Sequence, residues 1–400
     1  YNPLSISYLL VLQEGAKWFA LKDEIEDLQT ELTVVALQED GVVTLPYDEV
    51  SRELACLCCE NLLVDSETLN SELRGSICCP YVSVPSPVQL RKAVKNPTEV
   101  EGMRSVHVDD GVAMEKFLYW LEKSVESERV VTEWDAAVKI GQLRSQTEDY
   151  QGDSFETISA YGKGAALPHY ITPRENSPVL RQEGLYLCDS GGQFSFGTTD
   201  ITRTVPLGEC SELEKEDYTL VLKGHIDLAM AVFPEGTAGC QIDALARNPL
   251  WKAKRNFGHG TGHGVGFFLG VHEGPQDLRQ NVYDQAMLPG MVTSDEPGLY
   301  REGFHGVRHE NVILCQEVEK NEFGDWLGFE TLTCTYIDPT PVISELLTDE
   351  EKAWMNNYNR SVYMRLVPYL EDDEKQWLRS KTIDKEFALP VGKDEPWSEE

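Results

Sequence analysis

The sequence predicts an α+β chain in two parts. A partial N-terminal α/β domain occupies residues 1–84, and a larger domain with a C-terminal helical extension occupies 85–400. Three observations predict this. Short apolar runs alternate with acidic segments over the first eighty or so residues. Two long stretches with helical spacing follow a proline-punctuated linker, Val82 to Pro87. From Phe155 onward, strand-like runs separated by glycine turns dominate, interrupted by two further helical stretches.

Taken in order, Ser7–Val11, Lys17–Leu21 and Leu32–Leu37 are short apolar runs of a small α/β unit, around the acidic stretch Asp23–Asp27 and the turn Asp40-Gly41. Tyr47–Cys59 reads as a helix and Asn61–Asp65 as a strand. The chain opens at Tyr1 in what reads as mid-domain, so further sequence upstream is expected. Asn96 or Thr98 can cap a helix from Pro97 to Val125, whose apolar positions include Val100, Met103, Val106, Val112, Met114, Phe117, Leu118 and Leu121. Thr132 caps a second helix reaching about Thr147. Thr157–Tyr161 and Leu185–Asp189 are strands, and Phe194–Thr204 is the return strand after Gly191-Gly192. Helices are expected over Glu212–Phe233 and Thr237–Lys254, with Thr237 as a cap. Met291–Ser294, Gly306–Leu314 and Phe329–Tyr336 are strand-like, Leu347–Tyr369 is a helix, and the charged tail beyond Thr382 is expected to be loosely held.

Composition narrows the function classes. A formal charge of -33 argues against a nucleic-acid partner and against an anionic membrane surface. No apolar run of membrane-spanning length exists, and no charged leader with an apolar core opens the chain, so a cytoplasmic location is expected. Ten cysteines include Cys56-Leu57-Cys58-Cys59 and Cys78-Cys79, but the second half of a zinc pattern is missing. Buried or free thiols of a reducing compartment are expected.

The chemistry concentrates between Leu185 and Val312. Asp189 ends one strand and Asp200 lies on the return, which sets two carboxylates on neighbouring antiparallel strands. They repel at neutral pH, and a cation between them removes the conflict. Cys188 points to the opposite face from Asp189. Gly258 to Gly266 packs five glycines around His259 and His263, allowing close backbone approach or positive φ; no Lys-Ser/Thr follows, which disfavours a phosphate loop. Glu296 precedes a forced Pro297-Gly298 turn, and Glu310 follows Arg308-His309. Asp189, Asp200, His263, Glu296 and Glu310 are the candidate metal ligands. Four carboxylates and one imidazole suit two divalent cations. His169 by itself reads as an ordinary core or surface histidine, and Arg203 and Glu330 read equally well as salt-bridge partners.

The order and local wording of these cassettes resemble the pita-bread metallopeptidases, and within them the Xaa-Pro aminopeptidases (aminopeptidase P). The resemblance is carried by Asp189-Ser190-Gly191, Thr198 to Thr204, His259 to Gly266, Val271-His272-Glu273-Gly274-Pro275, Asp295 to Gly298 and Arg308 to Val312. It spans about residues 85 to 345, and Lys92–Asn96 and Val221–His225 suggest the longer, three-domain branch. The resemblance implies a pita-bread catalytic domain holding two divalent ions, usually Mn²⁺, in a homodimer. Asp189 would bind one ion, Asp200 and Glu310 would bridge, and His263 and Glu296 would complete the second. Glu296, His259 and His272 are the implied catalytic groups; His169, His259, His272 and Arg308 are the implied substrate-binding groups. His169 and His259 would flank the ring of a penultimate proline, and His272 would help to stabilise the oxyanion. The implied reaction releases an N-terminal residue from a peptide with proline second, using water acidified by the two ions. The nearest alternative is a dipeptide-restricted prolidase. Methionine aminopeptidase fits less well because of the extra N-terminal domain, and a non-catalytic or creatinase-like protein on the same fold typically lacks metal ligands that this chain has.

Overall fold

The computed structural model describes residues 1–2, 4, 6–21, 37–127, 129–282 and 285–389. Contacts divide the chain into two compact units, Pro3–Leu90 and Arg91–Glu400 with Tyr1–Asn2. Among the described residues, no helix is long and apolar enough to cross a membrane.

In the smaller unit β1 (Ser7–Leu12) pairs antiparallel with β2 (Gly15–Ala20), and β3 (Val42–Pro46) lies parallel to β2. Helix α1 (Val50–Cys56) follows, then β4 (Leu62–Val64), α2 (Ser71–Ser76) and β5 (Tyr81–Ser83), with β4 and β5 parallel. Leu10, Phe19, Val50, Leu54 and Leu73 form the core. Most of the apolar run Leu32–Leu37 and the acidic stretch Asp23–Asp27 lie outside the described residues.

After a short helix over Pro87–Ala93, the first long helices are α3 (Pro97–Glu126), capped by Asn96 in a reciprocal pair with Glu99, and α4 (Glu133–Arg144), capped the same way by Thr132 and Asp135. The apolar stripe of α3 buries Met103, Val106, Met114, Phe117, Leu118 and Leu121, while Val100 and Val112 on the same stripe are only partly buried. Then come β6 (Tyr150–Asp153), β7 (Ile158–Tyr161), β8 (Leu185–Ser190), β9 (Gly192–Phe194), β10 (Gly197–Thr198) and β11 (Ile201–Pro206). Strand β8 is paired on both edges, antiparallel to β7 and to β11. Helix α5 (Glu212–Ala229) is followed by β12 (Phe233–Pro234) and α6 (Gly239–Lys252). The remaining strands are β13 (Gly262–His263), β14 (Asp277–Leu278), β15 (Val292–Asp295), β16 (Gly298–Arg301), β17 (His305–Arg308), β18 (Asn311–Asn321) and β19 (Gly324–Thr331). A four-stranded sheet runs in the order β12-β19-β18-β15, and β16 and β17 form a hairpin. Helices α7 (Asp349–Leu366) and α8 (Asp372–Lys381) close the chain and share the main core with α3, α5 and β8.

Several expectations are corrected. The return strand Phe194–Thr204 is interrupted: β9 and β10 make a small hairpin of their own before β11 begins. Its tip packs on α3, where a Cβ at Gly197 would lie 2.7 Å from Val106. Gly306–Leu314 is two strands, because the Glu310 N–H donates to the Thr202 carbonyl at 3.1 Å instead of continuing a ladder. The strand placed at Phe329–Tyr336 ends at Thr331. Beyond it, Arg203 donates to the carbonyls of Thr335 and Tyr336, and Glu115 accepts from the Tyr336 N–H, so buried side chains replace a ladder. Helix α6 starts at Gly239 with Ala238 as its N-cap; the Thr237 hydroxyl donates backward to Pro234 instead. The segment after Thr382 is tied down as far as it is described, since Phe387 exchanges two hydrogen bonds with Asn356. The tail from 390 lies outside the described residues.

Candidate metal centre

The candidate ligands reach one cleft of about 780 Å³ from separate breaks in the strands. Asp189 sits near the end of β8, opposite Thr202 of β11, and strand alternation sends Cys188 into the core and Asp189 to the cleft. Asp200 directly precedes β11. His263 ends β13, where a Cβ at Gly262 would meet the Ser294 carbonyl at 1.9 Å and one at Gly264 the Glu273 carbonyl at 2.0 Å. The glycines of this cassette therefore serve close backbone approach; none between 258 and 266 has positive φ. Glu296 leaves β15 with its N–H on the Thr261 carbonyl at 2.6 Å, and Glu310 joins β17 to β18.

Asp189, Asp200, His263, Glu296, Glu310, His169, His259, His272 and Arg308 all line this cleft. Ligand-capable atoms of Asp200, His263 and Glu310 lie within 4.8 Å of one another. His263 Nε2 is 3.4 Å from Asp200 Oδ2 and 3.3 Å from Glu296 Oε1. Asp189 stands slightly apart from that trio: its Oδ2 accepts from Arg308 at 2.5 Å, and its buried Oδ1 has no partner. His169 lies exposed at the rim.

The electrostatics follow from burial. Burial first, then the neighbouring carboxylates, pushes Asp200 up to about 6, Glu296 up to about 7 and Glu310 well above the usual carboxylate range. Burial opposes charge on His263, but Asp200 and Glu296 outweigh it and push it up to about 9. His259 and His272 are driven down to about 4, chiefly by burial, so both are neutral near pH 7. Burial also opposes the charge on Arg308, yet Tyr300 and the carboxylates hold it well above its ordinary value.

Three side chains absent from the candidate set organise the site. Tyr300, on β16, accepts from Arg308 at 2.8 Å and lies 2.8 Å from His259 Nε2. His259 Nδ1 faces the Gly260 carbonyl at 2.7 Å and must carry the proton there, so Nε2 accepts from the Tyr300 hydroxyl. Thr202 donates to Glu310 Oε2 at 2.7 Å and accepts from Arg308 Nε at 3.1 Å. Ser294 donates to Glu296 at 3.1 Å. The available signal was register: Thr202 is the residue opposite Asp189, and Tyr300 lies four residues past Glu296, across the Pro297-Gly298 turn. Arg203 is structural, donating to the Thr202 and Glu310 carbonyls and to Asn311. Glu330 pairs with Arg104 at 2.7 Å.

The donor set fits hard divalent cations. Buried carboxylates raised by mutual repulsion are what a cation would return to the ionised form, and the orphaned Asp189 Oδ1 is aimed for such use. His263 Nδ1 faces the Gly264 carbonyl at 3.0 Å, which leaves Nε2 to act as a ligand once it is deprotonated.

Comparison with known proteins agrees with this chemistry. Residues 101–317 match the model of metallopeptidase family M24, 325–384 that of the C-terminal region of the family, and 1–99 that of the creatinase/prolidase N-terminal domain. A probable Xaa-Pro aminopeptidase P of Ajellomyces capsulatus is 46% identical over 75% of this chain and 50% of its own length. That of Ajellomyces dermatitidis is 45% identical over 96% of this chain and 65% of its own length. The crystal structure of an X-prolyl aminopeptidase from Caenorhabditis elegans, described as a cytosolic enzyme with a di-nuclear active site, superposes with a TM-score of 0.89 at 35% identity. It covers 95% of this chain and 64% of that one. The chain thus spans between half and two thirds of these relatives' lengths.

Proposed function

The chain belongs to metallopeptidase family M24, and from that premise we propose that it is a Xaa-Pro aminopeptidase acting with two divalent ions. The observation that carries the reading is the convergence of Asp200, His263 and Glu310 within 4.8 Å, in a cleft that Asp189, Glu296 and the neutral His259 and His272 also line. The pita-bread fold is shared with prolidases: an Xaa-Pro dipeptidase from Bacillus anthracis superposes with a TM-score of 0.67 at 24% identity, which speaks to fold alone. The long relatives above favour the aminopeptidase.

In this reading the catalytic domain runs over 85–400, preceded by a partial creatinase-like domain over 1–84. Asp189, Asp200, His263, Glu296 and Glu310 hold the ions, and an oxygen-rich set with a single imidazole favours Mn²⁺ over softer metals. When bound, the ions supply Lewis acidity and lower the pKa of water in the cleft. Glu296, held ionised beside the ions, takes a proton from the attacking water and delivers it to the departing proline nitrogen. Neutral His272, its ring 4.0 Å from that of His263, donates an N–H to the carbonyl oxygen as negative charge develops there. Arg308 holds Asp189 and orients Tyr300, which fixes the ring of His259. With both nitrogens of His259 engaged, the ring offers its apolar face to proline, and His169 flanks the other side from the rim. Proline carries no N–H, so this wall needs no acceptor for one. A homodimer follows from the family resemblance, and a cytoplasmic location is supported by the description of the nematode enzyme as cytosolic.

The test is hydrolysis of a Xaa-Pro-Xaa tripeptide, a Xaa-Pro dipeptide and an N-acetylated tripeptide, after chelation and after Mn²⁺ is restored. Mn²⁺-dependent release of the first residue from the free tripeptide alone is expected, with Asp200→Ala and Glu310→Ala inactive and unable to bind Mn²⁺. Cleavage of the dipeptide alone would make it a prolidase, and wild-type turnover by either variant would overturn the ligand assignment.

A further inference from the structure

We propose that Asp243, Arg247 and Thr261 form a buried clamp that positions His259 and the backbone of Glu296, and so sets the preference for proline. This rests on the aminopeptidase reading for its substrate, but the clamp itself is a matter of geometry. Asp243 and Arg247 lie one turn apart on α6, are almost wholly buried, and line no part of the cleft. Arg247 Nε and one Nη donate to the two oxygens of Asp243 at 2.7 and 3.1 Å. The rest of the guanidinium is spent on the loop that leads to the site. It donates to the Phe257 carbonyl at 2.8 Å, the His259 carbonyl at 2.7 Å and the Asn256 side chain at 3.5 Å. Its plane also covers the Phe257 ring, 3.9 Å from the centroid. That ring lies 4.9 Å from the ring of His259.

A guanidinium has five N–H groups in a rigid fork, and here every one has an acceptor. Such an arrangement is over-determined for a plain ion pair between neighbours on a helix. It is what is needed to hold an irregular loop in one conformation, because residues 257–261 have no ladder of their own. Asp243 carries the second branch. Its Oδ1 also accepts from the Thr261 hydroxyl at 2.6 Å, and the Thr261 carbonyl accepts the Glu296 N–H at 2.6 Å. The same ion pair on α6 is therefore connected to His259 through Arg247 and to Glu296 through Thr261. These are positioning residues: none of the three touches the reacting atoms.

The test uses Arg247→Lys, which keeps the charge opposite Asp243 but has no fork to reach the loop carbonyls, and Thr261→Val against Thr261→Ser. On Xaa-Pro-Xaa and Xaa-Ala-Xaa tripeptides, Arg247→Lys should lower kcat/KM for the proline peptide about 10- to 100-fold, by the usual reach of residues that orient active-site groups. The proline-to-alanine ratio should fall with it, while Mn²⁺ affinity by titration calorimetry stays within about threefold. Thr261→Val should instead weaken Mn²⁺ binding, and Thr261→Ser should restore it. Nitrogen-15 histidine spectra, with the His259 ring assigned through His259→Gln, give a readout independent of turnover. The ring signal should shift or broaden in Arg247→Lys. An unchanged signal, or an unchanged proline preference in an active wild type, would overturn the clamp. Loss of Mn²⁺ binding and folding in step with activity would reduce it to a structural ion pair. A wild type that cleaves neither peptide would overturn the aminopeptidase reading instead, and the histidine spectra would still decide the clamp.

Discussion

Thr202→Val is the sharpest perturbation of the candidate metal centre that leaves every candidate ligand in place. The Thr202 side chain is fully buried. Its hydroxyl is shared between two ionisable partners, donating to Glu310 Oε2 at 2.7 Å and accepting from Arg308 Nε at 3.1 Å. Valine fills nearly the same space and keeps the backbone carbonyl that receives Glu310 N–H and Arg203. What is lost is a hydrogen bond to the Arg308 guanidinium, worth about 1.5–3 kcal/mol, and one to the Glu310 carboxyl, worth about 1 kcal/mol, with a buried Arg308 N–H left unsatisfied. The expected destabilisation of the metal-free protein is about 3–5 kcal/mol, or on the order of 10 °C in melting temperature for a unit of this size. Because Glu310 also loses the contact that aims its carboxyl, Mn²⁺ affinity should weaken about 10- to 100-fold. Thr202→Ser is the control: it keeps the hydroxyl and removes one methyl, which should destabilise by only about 1 kcal/mol. Thermal unfolding in excess chelator and calorimetric titration with Mn²⁺ measure the two effects separately. If Thr202→Val melts with Thr202→Ser and binds Mn²⁺ equally well, the hydroxyl does not couple Arg308 to Glu310 and the reasoning fails.

Two further outcomes are expected away from the cleft. Glu115, fully buried on α3, accepts from the Tyr336 N–H through one oxygen while the other has no partner, and burial pushes it from 4.5 up to about 8. The folded state therefore keeps a proton that the unfolded chain releases between those values, so its contribution is full below pH 4.5 and declines as pH rises towards 8. The slope is about 1.4 kcal/mol per pH unit across that window; Glu115→Gln should remove it, leaving the variant less stable than wild type near pH 5 and more stable near pH 9, and parallel melting curves for the two proteins would contradict this. In the smaller unit the parallel pairing of β4 with β5 brings the sulfurs of Cys59 and Cys79 to 3.1 Å. Excess glutathione disulfide should take up their two electrons, releasing two glutathione thiols as the Cys59–Cys79 bond forms, and should stabilise that unit by about 3 kcal/mol; a non-reducing peptide map without the linked pair would refute it.

The candidate ligands were legible along the chain because they sit in short local words. Aspartate before a Ser-Gly-Gly turn, histidine between obligatory glycines and glutamate before Pro-Gly are each dictated by the backbone within a few residues. The long helices were legible for the same reason: Asn96 with Glu99 and Thr132 with Asp135 mark their starts, and the stripe of α3 marks its buried face. Where the backbone is satisfied by distant side chains, local pattern failed. Residues 332–338 alternate like a strand but are held by Arg203, Glu115 and Tyr358, from more than twenty residues to more than two hundred residues away. Gly306–Leu314 carries strand-forming residues on both sides, Val307 and Val312 to Leu314, yet it breaks where Glu310 bonds across to Thr202.

What the sequence by itself determined was the donor set: which carboxylates and imidazoles are present, their order, and the small residues that let the backbone close around them. What only the tertiary structure decided was how those donors are aimed and charged. Thr202, Tyr300 and the Asp243–Arg247 pair are ordinary residues in sequence, and they matter because register and helix packing bring them against Glu310, His259 and Thr261. The raised carboxylates exist only once burial has removed water from around like charges, a consequence of distances across the fold that no local pattern contains.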